Sequence, residues 1–196
     1  MLDLNTDPAL RHQILTYLLS EAMTDRERAR LLGLPEGCRI RERAKILAPE
    51  KLIMGTNVWI GEGAVLDAQG GLAIGDNTQI GLNVFIWTHT SHMQALAGKT
   101  GSLSKEGIEY FPTKIGKNCF IAGPSVIAPG VTIGDGVIVS PFAMVDADVP
   151  DGEIVSPHLT ARRELKRVEK ELRDMRKSFE EMRSLVAGLT GTSPES

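Results

Sequence analysis

A six-residue beat constrains this chain more than any other feature. Over residues 54–91 and 115–150, with one two-residue slip, every sixth place is aliphatic or methionine: Met54, Ile60, Leu66, Ile74, Ile80, Ile86, Ile115, Ile121, Ile127, Ile133, Val139 and Val145. The next place is mostly Gly, Ala or Ser. The fifth is small or β-branched, as at Val58, Ala64, Thr78, Cys119, Ser125, Val137 and Ala143. A period of six fits neither a 3.6-residue helix nor one long strand. It fits a short strand followed by a corner. The first place then points inward, the fifth fills the remaining space, and the second stays small because the backbone bends beside it. Three such units close one triangular coil, and stacked coils bury a continuous aliphatic ladder.

This repeat resembles that of the hexapeptide-repeat acyltransferase family. The resemblance implies a mainly β fold, a left-handed parallel β-helix. The hand comes from the resemblance, since parallel crossovers are normally right-handed. Function does not follow from fold, because one fold hosts many activities.

The net charge of −3 over 196 residues gives no reason to expect a nucleic-acid partner. Cys38 and Cys119 are far apart and form no CxxC pair, and Cys119 falls on an inward fifth place, where it reads as a buried inert thiol. The start lacks a basic region followed by an apolar run, so no signal peptide is expected. No apolar stretch of about 18 residues predicts a membrane span. A cytoplasmic protein is the default expectation.

Residues 1–35 read as a helical cap. Asp7-Pro8 opens a helix with Leu10, Ile14, Tyr17 and Leu18 on one face, and Thr24 with Glu27 forms a capping box for a second. Such helices would cover the open end of the solenoid. Residues 36–152 are the β-helix domain. It begins with an irregular strand or degenerate coil over 36–53, and Leu72-Ala73 beside Gly70-Gly71 reads as a corner bulge. Residues 92–114 interrupt the beat; a loop of this length in a compact domain is functional or mobile. It leaves beside the paired histidines, which favours function. Met93, Tyr110 and Phe111 could cover a ligand or a neighbouring subunit.

Residues 153–187 are a linker and a C-terminal helix. Leu165, Val168, Leu172, Met175, Phe179, Met182 and Val186 alternate at spacings of three and four, a heptad seam among charged residues. The choice is between a coiled coil and an amphipathic helix lying on the solenoid, and the narrow seam favours the coiled coil. Residues 188–196 read as a disordered tail. The family resemblance implies trimers, so a homotrimer with a parallel three-stranded coiled coil is the expected assembly.

The chain has four histidines, at 12, 89, 92 and 158. His89 holds the fourth place of its unit, near a corner, where it should point outward. The segment Asn83-Val84-Phe85-Ile86-Trp87-Thr88-His89-Thr90-Ser91-His92 resembles the family's histidine segment, placed just before a long loop. That resemblance implies His89 as general base, with His92 the second candidate. A sugar hydroxyl is a weak nucleophile near neutral pH, and an imidazole with a pKa of about 6.5 can take its proton during attack. Asp67 or Glu109 could orient the ring, although a solvated carboxylate is the simpler reading of each. Asn83, Trp87 and Tyr110 are candidate substrate contacts. Trp59 and Trp87 are outward aromatics suited to sugar stacking or to an interface.

The resemblance also implies acetyl-CoA as acyl donor, without a metal. Its arm would lie on small-residue turns, here Ala122-Gly123 and Ser140-Pro141 in successive coils, with Arg162 and Arg163 placed to meet a phosphate. Small residues also occur at such turns for fold reasons alone. Asp146-Ala147 and Ser156-Pro157-His158-Leu159 depart from the family pattern. The expected function is acetyl transfer to a sugar or saccharide hydroxyl. N-acetylation of a nucleotide-linked amino sugar is the alternative. A γ-carbonic-anhydrase-type zinc enzyme would need a third histidine in the solenoid, and a non-catalytic trimeric scaffold would leave the paired histidines unexplained.

Overall fold

The structure, a computed structural model, describes residues 22–99 and 105–190, and only the helical backbone for 158–164 and 187–190. The helix expected after Asp7, with His12, and the tail from 191 lie outside the described residues. So do the side chains of His158, Arg162 and Arg163.

The beat becomes a three-faced parallel solenoid of about six turns. The first face stacks Arg39–Ile40, Trp59–Ile60, Gln79–Ile80, Phe120–Ile121, Ile138–Val139 and Ile154–Val155. The second stacks Lys45–Leu47, Val65–Asp67, Val84–Ile86, Ser125–Ile127 and Met144–Val145. The third stacks Leu52–Met54, Leu72–Ile74, Thr113–Ile115 and Thr132–Ile133, continued by a bridge from Ile133 to Val149. Register follows the repeat: Ile40 pairs with Ile60, Ile60 with Ile80, Ile80 with Ile121, and Ile121 with Val139. First-place residues are thus superposed down the axis. All are buried except the half-buried Met54. Each buried aliphatic of this size contributes about 1.5–3 kcal/mol, so the ladder is the main cohesive element.

One sequence expectation narrows and one changes. The 36–53 stretch forms a complete coil, with a strand on each face. The two extra residues do not bulge at Leu72-Ala73, which lie inside a regular strand pairing with Leu52-Ile53 and Thr113-Lys114. The extra length sits just before them, in the turn from Ala68 to Gly71, where Gly71 has φ 97°. The first coil widens at the same corner, through Ala48 and the 3-10 turn Pro49–Lys51.

The fourth place of the repeat carries the left-handed residues. Asn57, Asn77, Asn83 and Asn118 all have φ near 55°, within 53–57°. Asparagine tolerates this region better than other non-glycine residues. The second place is small for a different reason. A Cβ on Gly75 would lie 2.7 Å from Gly116 C and Lys117 N of the next coil.

The helix Asp25–Leu31 starts with the expected capping box, in which Thr24 and Glu27 bond each other reciprocally. Its buried Arg28 donates to the Ile40 carbonyl at 2.6 Å. The N–H groups of Arg39 and Arg41 donate to the next coil, at Val58 and Ile60, while carbonyls between them, such as that of Ile40, face the open end. A guanidinium satisfies one of them.

The chain divides into two compact units, Met1–Ser156 and Pro157–Ser196. In the second, the helix Pro157–Thr190 leaves Leu165, Val168, Leu172, Met175, Phe179, Met182 and Val186 exposed. No helix among the described residues is long and apolar enough to cross a membrane.

Candidate active site

The corner between the second and third faces is wide in the first three coils. In the third coil it opens into the long excursion. Two short strands, His89–Thr90 and Glu109–Tyr110, pair antiparallel, so Tyr110 lies opposite His89. The helix His92–Leu96 sits between them. The chain returns through Phe111, whose N–H donates to the Thr88 carbonyl at 2.8 Å, and Thr113, whose hydroxyl donates to the Trp87 carbonyl at 2.8 Å. Both stems of the loop are therefore tied to the solenoid wall.

Asp67 stands directly beneath, at the second place of its unit. It is fully buried, in contrast to the solvated carboxylate of the simpler sequence reading. One carboxylate oxygen, Oδ2, faces His89 Nδ1 at 2.6 Å. The same oxygen accepts from the Thr88 N–H at 2.9 Å and from the Thr88 hydroxyl at 3.0 Å. Oδ1 accepts from the Gln69 N–H at 3.1 Å. Burial pushes this carboxyl up, but the bonds from His89, Thr88 and Gln69 outweigh it and hold it below the ordinary Asp value. Asp67 is ionised at neutral pH.

An ionised carboxylate only accepts, so His89 Nδ1 must carry a proton and donate it. The Gln69 side-chain nitrogen, 3.5 Å from that same Nδ1, cannot then donate there. The amide oxygen is the better partner for this position, an orientation that hydrogen-bond logic assigns. In the neutral ring Nε2 then keeps its lone pair. The ring is 19% exposed, with Trp87 edge-on at 6.4 Å and Tyr110 tilted at 6.1 Å. Phe85 stacks on Trp87 at 6.3 Å, extending the aromatic row along the second face. A neutral imidazole with one nitrogen anchored and the other open can accept a proton from a bound hydroxyl.

Three of the sequence candidates, His89, Trp87 and Tyr110, come together here. His92 does not join them in this way; its Nδ1 contacts the Thr90 hydroxyl at 2.6 Å on the exposed start of the loop. Glu109 is exposed and makes no bond to His89 among the described residues. Asn83 is an exposed left-handed residue at the corner between the first and second faces. Ala122, Gly123, Ser140 and Pro141 occupy that same corner in later coils. Ala122 and Ser140 stack as their spacing requires, donating to the Val139 and Val155 carbonyls at 2.8 Å each. Beside them Phe142 is 77% exposed at φ 63°, an uncommon conformation for a bulky residue. Within one chain the second face separates this corner from His89.

Sequence reasoning underweights Asp67 and passes over Thr88, Gln69 and Lys51. The available signal is the second place of the repeat: small almost everywhere, it is Asp67 and Trp87 at the wide corner. Among the described residues no three His, Cys, Asp or Glu side chains are grouped to hold a metal ion.

Residues 112–147 match the family described as bacterial transferase hexapeptide (six repeats). A protein of Escherichia coli (strain K12) named for acetyl transfer in colanic acid biosynthesis is 34% identical over 111 residues, 57% of each chain. The galactoside O-acetyltransferase of the same organism is 31% identical over 127 residues, 60% of this chain and 58% of the relative. The chain therefore matches somewhat over half the length of these curated relatives. Among solved structures, a hexapeptide-repeat acetyltransferase of Vibrio cholerae superposes with TM-score 0.61 at 23% identity, over 75% of this chain and 85% of that one. That likeness gives the fold alone: the solenoid is a left-handed parallel β-helix, similar to that of hexapeptide-repeat acetyltransferases.

Proposed function

We propose that this chain is a sugar O-acetyltransferase, moving the acetyl group of acetyl-coenzyme A to a saccharide hydroxyl. The observation that carries this reading is the buried Asp67 bonded to Nδ1 of a partly exposed His89. Nε2 takes the hydroxyl proton as that oxygen attacks the thioester carbonyl. Asp67 stabilises the imidazolium that forms. The tetrahedral intermediate then expels the coenzyme A thiolate, which takes the proton back from Nε2. Trp87 and Tyr110 offer ring faces to a sugar. The named activities of the curated relatives, in colanic acid biosynthesis and on galactosides, agree with a saccharide acceptor. The Vibrio cholerae neighbour has also been crystallised with acetyl-coenzyme A.

Ala122-Gly123 and Ser140-Pro141 are the turns suited to the pantetheine arm. These turns and His89 lie on different edges of one prism. A complete site therefore takes its two edges from adjacent copies, in a homotrimer. The exposed heptad seam supports self-assembly: Glu171 and Arg176 fall at g and e positions, which attract between parallel helices.

The test is release of the coenzyme A thiol from acetyl-coenzyme A with galactosides, glucosides and maltose as acceptors. His89→Ala should lower turnover by about 10²- to 10⁴-fold while coenzyme A binding persists. Unchanged turnover would remove His89 as the base. Absence of coenzyme A binding in the unmodified protein would remove the activity.

A further inference from the structure

The wide corner holds a cation that the proposed chemistry does not use. Lys51 ends the 3-10 turn Pro49–Lys51 of the first coil. Its Nζ donates to the Gln69 carbonyl of the second coil at 2.8 Å and lies 5.7 Å from the centroid of the Tyr110 ring. That ring is in turn 6.1 Å from the His89 ring. Lys51, Gln69 and His89 thus occupy one corner in three successive coils. With coils stacked at the spacing of paired strands, Lys51 and His89 are about 10 Å apart along the axis. This is the scale of one or two sugar rings.

The Lys51 side chain is exposed, and its partners among the described residues are a neutral carbonyl and an aromatic face. An ammonium has three donors, and the carbonyl uses one. Glu50 and Glu109 neighbour the patch in sequence, but among the ion pairs of the described residues neither is joined to Lys51. No ion pair among the described residues neutralises this charge, and the Gln69 bond and the Tyr110 ring hold the ammonium in place. A fixed, unneutralised cation beside an aromatic wall suits a sugar carrying an anionic group.

We propose that Lys51 is a specificity-determining residue that binds the carboxylate of an acidic saccharide acceptor whose reacting hydroxyl lies at His89. The proposal rests on the acetyltransferase reading for that hydroxyl, but the charge recognition can be measured without turnover. The probes are 4-nitrophenyl β-glucuronide and 4-nitrophenyl β-glucoside, which differ by one carboxylate. Each is titrated by calorimetry into the full chain saturated with coenzyme A. The glucuronide should bind about tenfold tighter. Lys51→Gln should abolish the difference, leave glucoside binding unchanged and preserve the melting temperature, and Lys51→Arg should restore the preference. Equal binding of the two sugars, binding of neither, or a preference that survives Lys51→Gln would overturn the proposal. Turnover of both sugars with acetyl-coenzyme A is measured in parallel. A Lys51-dependent preference without any acetyl transfer would instead count against the acetyltransferase reading while leaving the cation site intact.

Discussion

Two corners of the same prism obey opposite rules. Where the third face turns into the first, the second place of the repeat is Gly55, Gly75, Gly116 and Gly134, and the fourth is Asn57, Asn77, Asn118 and Gly136. Successive coils approach so closely there that each glycine faces the backbone of the next turn. Where the second face turns into the third, the second place is Leu47, Asp67, Trp87, Ala128 and Asp146. The added residues at 48–51 and 68–71 open that corner enough to admit side chains, and in the third coil it extrudes a loop. The tight corner maintains coil stacking. The wide one buries a carboxylate under a histidine. A solenoid can thus vary one edge while the other two keep its register.

The largest effect should come from disturbing the wide corner without unfolding it. Asp67→Asn keeps the shape but replaces an acceptor-only group with an amide. His89 then loses the partner that fixes its Nδ1 proton and supports the imidazolium. We expect acetyl-transfer turnover to fall by about 10²- to 10⁴-fold, with coenzyme A binding little changed. Steady-state kinetics over a range of pH would check this. The same variant should alter acid stability. The Asp67 carboxyl is held below its ordinary pKa, so its contribution is complete above about pH 4 and is lost as pH falls through the depressed folded value. Urea melts between neutral and acid pH should fall less steeply for Asp67→Asn than for the unmodified protein. Equal slopes would mean that the carboxyl is not stabilised by folding.

At the tight corner the effects should fall on stability alone. Gly75→Val places a Cβ 2.7 Å from the backbone of Gly116 and Lys117. Backbone cannot move aside as a flexible side chain would, and the loss should be about 3 kcal/mol in denaturant melts. Asn77→Ala is milder. Alanine at φ 57° costs about 1 kcal/mol, and Asn77→Gly should cost less because glycine tolerates that region. If Asn77→Ala and Asn77→Gly melt together, the left-handed geometry is not what selects asparagine there.

The aliphatic first place makes the solenoid legible because it records burial directly: Ile60, Ile80, Ile121 and Val139 lie in one stacked row. The Thr24–Glu27 capping box is equally legible, because its groups are three residues apart. The Asp67–His89 pair is not. Its members are 22 residues apart, and their contact depends on coil length. Coils of twenty residues, from Ile40 to Ile60 to Ile80, shift the corner relative to an eighteen-residue ideal, and only the count from Leu66 to Ile74 shows it. Lys51 stays hidden for the same reason, since the first coil's phase is not visible in the sequence. The second-place exceptions, Asp67 and Trp87, do mark the wide corner. Reading them requires knowing that the glycines at other second places are there because the next coil is close, not because the chain turns there.

The last comparison sets two buried hydroxyls at the fifth place against each other. Thr78, at the tight corner, donates to the Gly116 carbonyl at 2.8 Å and accepts from the Cys119 N–H at 3.1 Å. It ties one coil to the next. Ser125 follows the corner between the first and second faces and sits in register with Val84, and its buried Oγ has no hydrogen-bond partner among the described residues. Burying a hydroxyl without a partner costs free energy, whereas a satisfied one contributes modestly. Thr78→Val should therefore cost about 1–2 kcal/mol, because it leaves the Gly116 carbonyl and the Cys119 N–H unsatisfied. Ser125→Ala should instead stabilise the fold by about 0.5 kcal/mol, since alanine already fills the fifth place at Ala64 and Ala143. Paired denaturant melts of the two variants would show opposite signs. A loss in Ser125→Ala as large as that in Thr78→Val would mean that the serine hydroxyl is bonded after all, and that this corner too binds its coils through side chains.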